Sequence, residues 1–88
     1  MEKSYRGYSF KNTEVREQNF YIRKLAHHQD VDCIRIILKD TMQVREYNKY
    51  NYKQIIQYLY EEGRRVSSTI CIEPVFPEYY KGDTEIEF

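Results

Sequence analysis

The chain has no tryptophan, one alanine, three glycines, two prolines and two cysteines among its 88 residues, and each scarcity closes off a class of protein. A single alanine argues against an Ala-rich helical bundle, because alanine is the residue least costly to place in a helix. Gly7, Gly63 and Gly82 are too scattered to build a glycine-rich phosphate loop. Two cysteines are too few for a small secreted disulfide scaffold. Cys33 and Cys71 sit in the apolar runs CIRIIL and TICI, where cysteine acts as a small hydrophobe, so both are read as buried free thiols. No apolar run approaches the roughly 18 residues a membrane span needs, and MEKSYRGYSF has neither an apolar centre nor a cleavage site. The expectation is a soluble, cytoplasmic protein with no membrane partner.

What the chain has in quantity is tyrosine, ten residues beside nine isoleucines. That pairing favours β-rich structure. Many of the tyrosines adjoin Arg, Lys or Asn, and apolar area that carries a hydroxyl belongs at a boundary with water or with a partner. With 41% hydrophobic and 32% charged residues, the composition is that of a folded domain. A chain of this size makes one domain, 1–88, and hides only about 60–70% of its unfolded surface; a homodimer would hide more. The skew toward Ile, Tyr, Lys and Asn suits an AT-rich coding source such as a virus or mobile element.

Net charge is zero but unevenly spread. Beyond residue 65, Lys81 stands alone against Glu73, Glu78, Asp83, Glu85 and Glu87, so 74–88 reads as an acidic C-terminal tail on a mildly basic body. Tail and body attracting each other to close the fold is the simpler account; a tail guarding a basic site is the functional one. Screening by salt favours the simpler account.

Residues 4–10 alternate like a strand, with Arg6, Tyr8 and Phe10 on one side. Lys11 and Asn12 turn the chain, and Thr13 serves as the N-cap of a helix to His28 with Val15, Ile22, Leu25 and Ala26 facing inward. NFYIRKL would also serve as a strand. Val31–Lys39 is the clearest strand, burying Ile34, Ile36 and Leu38. A turn at Asp40-Thr41 leads to a partner strand through Tyr47. A three-residue loop would set Leu38 opposite Val44 and gather Arg35, Ile37, Lys39, Gln43, Arg45 and Tyr47 on the other face; a two-residue loop would mix the faces. Asn51–Gly63 reads as a helix, with Asn51 and Gln54 as a capping box and Gly63 as its stop. Ile55, Ile56 and Leu59 form its inner face, flanked by Tyr52 and Tyr60. Val66–Glu73 is a strand ended by Pro74 and Pro77, and Thr84–Phe88 alternates like an edge strand. The fold class is therefore α+β: a small antiparallel sheet with two helices on one face, in a ferredoxin-like βαββαβ order with a C-terminal extended tail.

His27, His28, Asp30, Asp32 and Cys33 pack potential metal ligands into a short stretch, but neighbours on one turn cannot all converge, so the cluster reads as a polar turn and no metal or cofactor is expected. Glu61-Glu62, a histidine with Asp30, and Ser67-Ser68 lack the facing geometry that acid/base or nucleophilic catalysis demands, which points to a non-enzyme. Two contact functions remain. The main expectation is a small regulatory or inhibitory protein that binds an unidentified protein partner through Tyr50, Tyr52, Tyr58 and Tyr60, joined by Tyr79 and Tyr80 where the tail folds back. The tail itself suits docking by strand addition, on a partner or on a second copy. The alternative is a single-stranded nucleic-acid binder using Arg35, Lys39, Arg45 and Tyr47 on an open sheet face, against which stand the zero net charge and the lack of the paired-aromatic signature of RNA-reading plaits.

Overall fold

The computed structural model describes residues 7–77; Arg6, Tyr79, Tyr80 and the expected strand at Thr84–Phe88 lie outside them. In chain order the elements are β1 (Tyr8–Lys11), α1 (Val15–Ala26), β2 (Cys33–Leu38), β3 (Gln43–Asn48), a 3₁₀ turn (Lys49–Asn51), α2 (Tyr52–Tyr58), a π turn (Leu59–Gly63), α3 (Arg64–Val66) and β4 (Thr69–Val75). The α+β class and the βαββαβ element order are those expected. NFYIRKL is helical rather than extended, because Gln18, Tyr21, Ile22, Leu25 and Ala26 recur on one buried stripe at helical spacing.

All strand pairs are antiparallel and the sheet runs β1-β4-β2-β3. This is not the ferredoxin-like order, in which the first and third strands are central. Apolar content explains the difference: β2 and β4 supply the fully buried Ile34, Ile36, Leu38, Ile70 and Ile72, whereas five of the six β3 residues are exposed. The strands with most to hide take the middle. Helices α1 and α2 cover one face of the sheet, closing a single core with Ile22 and Leu25 from α1 and Ile55 and Leu59 from the second helical stretch.

The caps differ from those expected. Glu14, not Thr13, precedes α1; its Oε1 accepts the Lys11 N–H at 2.8 Å. Val15 is exposed although it shares the angular position of Ile22, because it is the first residue of α1. Asn51 makes no side-chain cap; Asn48 caps one turn earlier, its Oδ1 accepting the Tyr50 N–H at 2.9 Å. Gly63 does not stop the helix. Its φ of −52° and ψ of −46° are helical and the chain stays helical to Val66, which is exposed rather than the first residue of a strand. Glycine is there for space, because a Cβ would lie 2.7 Å from Leu59 Cδ2 and 3.5 Å from Leu38 Cδ2.

Pro74 lies inside β4 rather than ending it, opposite Ile34. The Lys39 N–H donates to Thr69 O and the Asn12 N–H to Ser68 O, so odd residues of β4 bond toward β2 and even ones toward β1. The amide hydrogen that proline lacks would point to the β1 side, past Tyr8–Ile72, the last β1–β4 pair described. The β2–β4 ladder loses nothing.

The β2–β3 loop is 39–42, and within it Met42 takes φ 58° while being 66% exposed. A left-handed conformation costs an unbranched residue about 1 kcal/mol, and little packing opposes a change. Met42→Asn is therefore expected to raise stability by about 0.5–1 kcal/mol, read as a higher urea midpoint at unchanged slope.

Candidate contact surface

The pairing of β2 with β3 sets Leu38 opposite Gln43, Ile36 opposite Arg45 and Ile34 opposite Tyr47. A four-residue loop has the parity of a two-residue one, so the faces are mixed. Arg35 and Ile37 stand on the uncovered face with Val44 and Glu46; Arg45 and Tyr47 stand on the helix side. The basic face expected to gather Arg35, Lys39, Arg45 and Tyr47 is thus split between two sides. Arg35 is further occupied by Glu46 at 3.0 Å and Glu73 at 3.2 Å, an alternating-sign row across β3, β2 and β4. Hydrogen bonding to Glu46, ahead of the Glu73 contribution, pushes its pKa still higher. The Arg45 guanidinium lies 4.4 Å over the Tyr58 ring. Lys39 stays exposed, beside the loop.

The tyrosines of the second helical stretch are also dispersed. Tyr58 belongs to the core, with Tyr47 at 6.4 Å and its own hydroxyl buried and unpartnered. Tyr52 is half-buried against the His27 ring at 5.7 Å. Tyr50 and Tyr60 are exposed, but ten residues of helix separate them by about 15 Å. Burial raises the Tyr58 pKa, an effect that Arg45 counters. Tyr58→Phe keeps the ring beneath the guanidinium and removes a buried hydroxyl that makes no hydrogen bond of good geometry, Arg45 being near enough only to act on it electrostatically. The variant is expected to be about 1 kcal/mol more stable by chemical denaturation; a loss of that size would mean the hydroxyl has a partner.

Around the candidate ligands, His28 Nδ1 accepts the Asp30 N–H at 3.0 Å, and Cys33 Sγ lies 3.9 Å from Asp32 Oδ2. Among the described residues no three such groups converge. Burial, then neighbouring carboxylates, raises the pKa of both Cys33 and Cys71, which keeps them as neutral thiols. Cys71 is buried as expected, whereas Cys33 is only half-buried.

The feature that sequence reading passed over lies between β1 and α1. Tyr8 and Phe10 project from β1 on the face that α1 covers, and Tyr21 packs between them, at 5.2 Å from Tyr8 edge-on and 6.0 Å from Phe10. Phe20 stands on the outer side of α1 and is 68% exposed; Tyr8 is 46% exposed. With Arg16 and Glu17, one helical turn before Phe20, these residues line an open groove of about 530 Å³. The walls are almost wholly aromatic and the charges sit at the rim. A pointer was present in the sequence: Phe20 is the one large apolar residue on the polar side of α1, and Tyr8 and Phe10 already shared a strand face.

The groove runs beside the sheet edge. Since Tyr8 and Phe10 bond inward to β4, the amides and carbonyls of Ser9 and Lys11 point outward. Those of Lys11 are taken: its N–H by Glu14 Oε1, its C=O by the Glu14 N–H at 3.0 Å and by Gln18 Nε2 at 2.7 Å. Ser9 keeps both groups outward, as the continuation toward Gly7 does. Gly7 is held to its residue type by Glu73, whose Cγ would be 2.6 Å from a Cβ. Bonding capacity and aromatic surface thus lie side by side.

No family model, no curated protein and no solved structure matches this chain. Among the described residues no helix is long and apolar enough to cross a membrane.

Proposed function

We propose that this is a small non-enzymatic regulatory or inhibitory protein that works by occupying, or being occupied by, a segment of another protein at the β1–α1 groove. The observation that carries the reading is the aromatic groove of exposed Tyr8 and Phe20 over half-buried Phe10 and buried Tyr21, next to the outward-facing backbone of Ser9. An extended segment laid along β1 would gain main-chain hydrogen bonds from Ser9 and seat alternate apolar side chains on the rings. Aromatic side chains held in place by packing lose little entropy when they bind, which is why they dominate contact surfaces. The reading keeps protein contact as the function but moves its centre from Tyr50 and Tyr60 to Tyr8 and Phe20.

The nucleic-acid alternative draws less support, since Arg35 is paired to two glutamates, Arg45 is stacked on Tyr58, and the two stand on opposite faces. The test compares affinity capture by the wild-type protein with capture by Phe20→Ser, Tyr8→Ser and Tyr60→Ser, each at an exposed position. A protein retained by wild type and Tyr60→Ser but lost by both groove variants supports the reading. Equal retention by all four overturns it, and a salt-sensitive shift with single-stranded oligonucleotides would favour the alternative.

A further inference from the structure

Resting on the groove as the contact site, we infer that its partner is an extended peptide segment that runs antiparallel to β1 and reads apolar–acidic–apolar, the acidic residue pairing with Ser9 and the two apolar side chains entering the aromatic groove. Length, phase and charge each follow from an observation. Length is set by the bonds already made along the outer edge of β1. The Lys11 N–H and C=O are taken by Glu14 and Gln18, so no partner residue can pair there. Tyr8 and Phe10 bond inward to β4, which leaves Ser9 as the residue of β1 with both backbone groups outward and open. Phase is set by the pleat. In antiparallel addition, the more stable direction per residue, one partner residue exchanges both bonds with Ser9. Its side chain lies on the uncovered face with Ser9 and Lys11, and its two neighbours, opposite Tyr8 and Phe10, lie on the groove face. Those flanking pairs are the non-hydrogen-bonded kind, in which side chains approach most closely. Both therefore meet the wall of Tyr8, Phe10, Phe20 and Tyr21.

Charge decides the central residue. It sits diagonally from Lys11, within reach of a long side chain. Lys11 is exposed and makes no ion pair among the described residues. On the other diagonal Gly7 presents no side chain, and the Glu73 carboxylate beside it is engaged by Arg35 at 3.2 Å. Glu17, at the groove rim, belongs to α1 on the opposite side of the sheet and does not face this position. The uncompensated charge beside the central residue is thus positive, and a carboxylate is its complement. The edge selects a segment by two apolar side chains on one face and one negative charge on the other.

A random linear peptide library displayed on phage, selected against the full chain, supplies the probe. Enriched peptides are expected to share the apolar–acidic–apolar triplet and to lose binding to Phe20→Ser. Phe20 is exposed, so that variant should keep the fold, as far-ultraviolet circular dichroism would verify. In a synthetic copy of an enriched peptide, glutamate at the centre should bind about threefold tighter than glutamine at low salt, and the preference should vanish on Lys11→Gln. N-methylation of the acidic residue's amide should weaken binding about tenfold, whereas methylation of the following residue, whose N–H points away from β1, should cost less than about twofold. Groove-dependent peptides with no acidic centre, or with the two methylation effects reversed as parallel pairing requires, overturn the inference and leave the groove standing. A selection that yields no Phe20-dependent peptide overturns both. A chain that is dimeric by light scattering and monomeric as Phe20→Ser overturns the inference in favour of a second copy.

Discussion

Gln18→Leu is expected to destabilise the protein by about 3 kcal/mol, an effect out of proportion to a change of one buried amide for an isosteric hydrocarbon. Gln18 is completely buried yet polar, and both ends of its amide are committed. Nε2 donates to Lys11 O at 2.7 Å, and Oε1 accepts from Arg64 Nε at 2.8 Å. Arg64 reaches Asn19 Oδ1 at 3.4 Å, and its own carbonyl accepts from Asn12 Nδ2 at 3.1 Å. One amide thus joins the β1–α1 turn to the end of the second helical stretch. The cost is set by what is left behind. Arg64 is half-buried, which lowers its pKa, and leucine would remove its nearest acceptor. The Lys11 carbonyl keeps the Glu14 N–H and suffers less. Gln18→Glu retains the acceptor but aims a carboxylate oxygen at that carbonyl, so an intermediate loss of about 1–2 kcal/mol is expected. Removing both partners, in Gln18→Leu/Arg64→Met, should recover more than half of the single-variant loss. Urea midpoints at constant slope measure all three, and a Gln18→Leu protein as stable as wild type would show that Arg64 simply rehydrates.

Ile36→Ala is the second large effect, expected at about 3–4 kcal/mol. Ile36 is fully buried at the centre of β2, paired with Ile72 on one side and Arg45 on the other, on the face of the sheet that the helices cover. Truncation removes three carbons where flanking strands and helices leave little room to collapse. In a domain whose total stability is of the order of 5–10 kcal/mol, that loss leaves a substantial unfolded fraction at body temperature. The informative control is Val44→Ala, an apolar residue of similar size that is 55% exposed on the uncovered face. Its cost should stay within about 0.5 kcal/mol. A pair of values that came out equal would mean that both faces of the sheet are covered, by a second copy or by chain outside residues 7–77.

These contrasts mark where sequence was readable. The alternation of Ile34, Ile36 and Leu38 announced a half-buried strand because period two is a local property. Which face Arg45 and Tyr47 share with that strand was not readable, because it depends on whether the loop holds an odd or even number of residues, and the left-handed Met42 makes an even loop out of residues with no glycine to signal it. The helical reading of Asn51–Gly63 was right in type and wrong at its end. Gly63 resembles a stop locally, whereas its reason for being glycine is the side chain of Leu59, whose Cδ2 would lie 2.7 Å from a Cβ, a clash that depends on how Leu59 packs and not on the residues after Gly63. Strand order escaped for a similar reason: it is decided by competition among four strands for the two interior places. The groove escaped because it belongs to no single element; Phe20 alone is an exposed phenylalanine, and becomes one wall of a site only when β1 is brought beside α1.

The position of β4 also sets when this protein can come into being. Among the described residues it is the last strand of the sheet and the only one hydrogen-bonded to both β1 and β2. Until it leaves the ribosome, β1 has no partner and β2–β3 is an isolated hairpin, which is marginal on its own in water. The helices would have only half a floor to pack on. Folding therefore waits for residues 69–75, which join β1 to the β2–β3 hairpin, and the groove beside β1 is created in that same closing step.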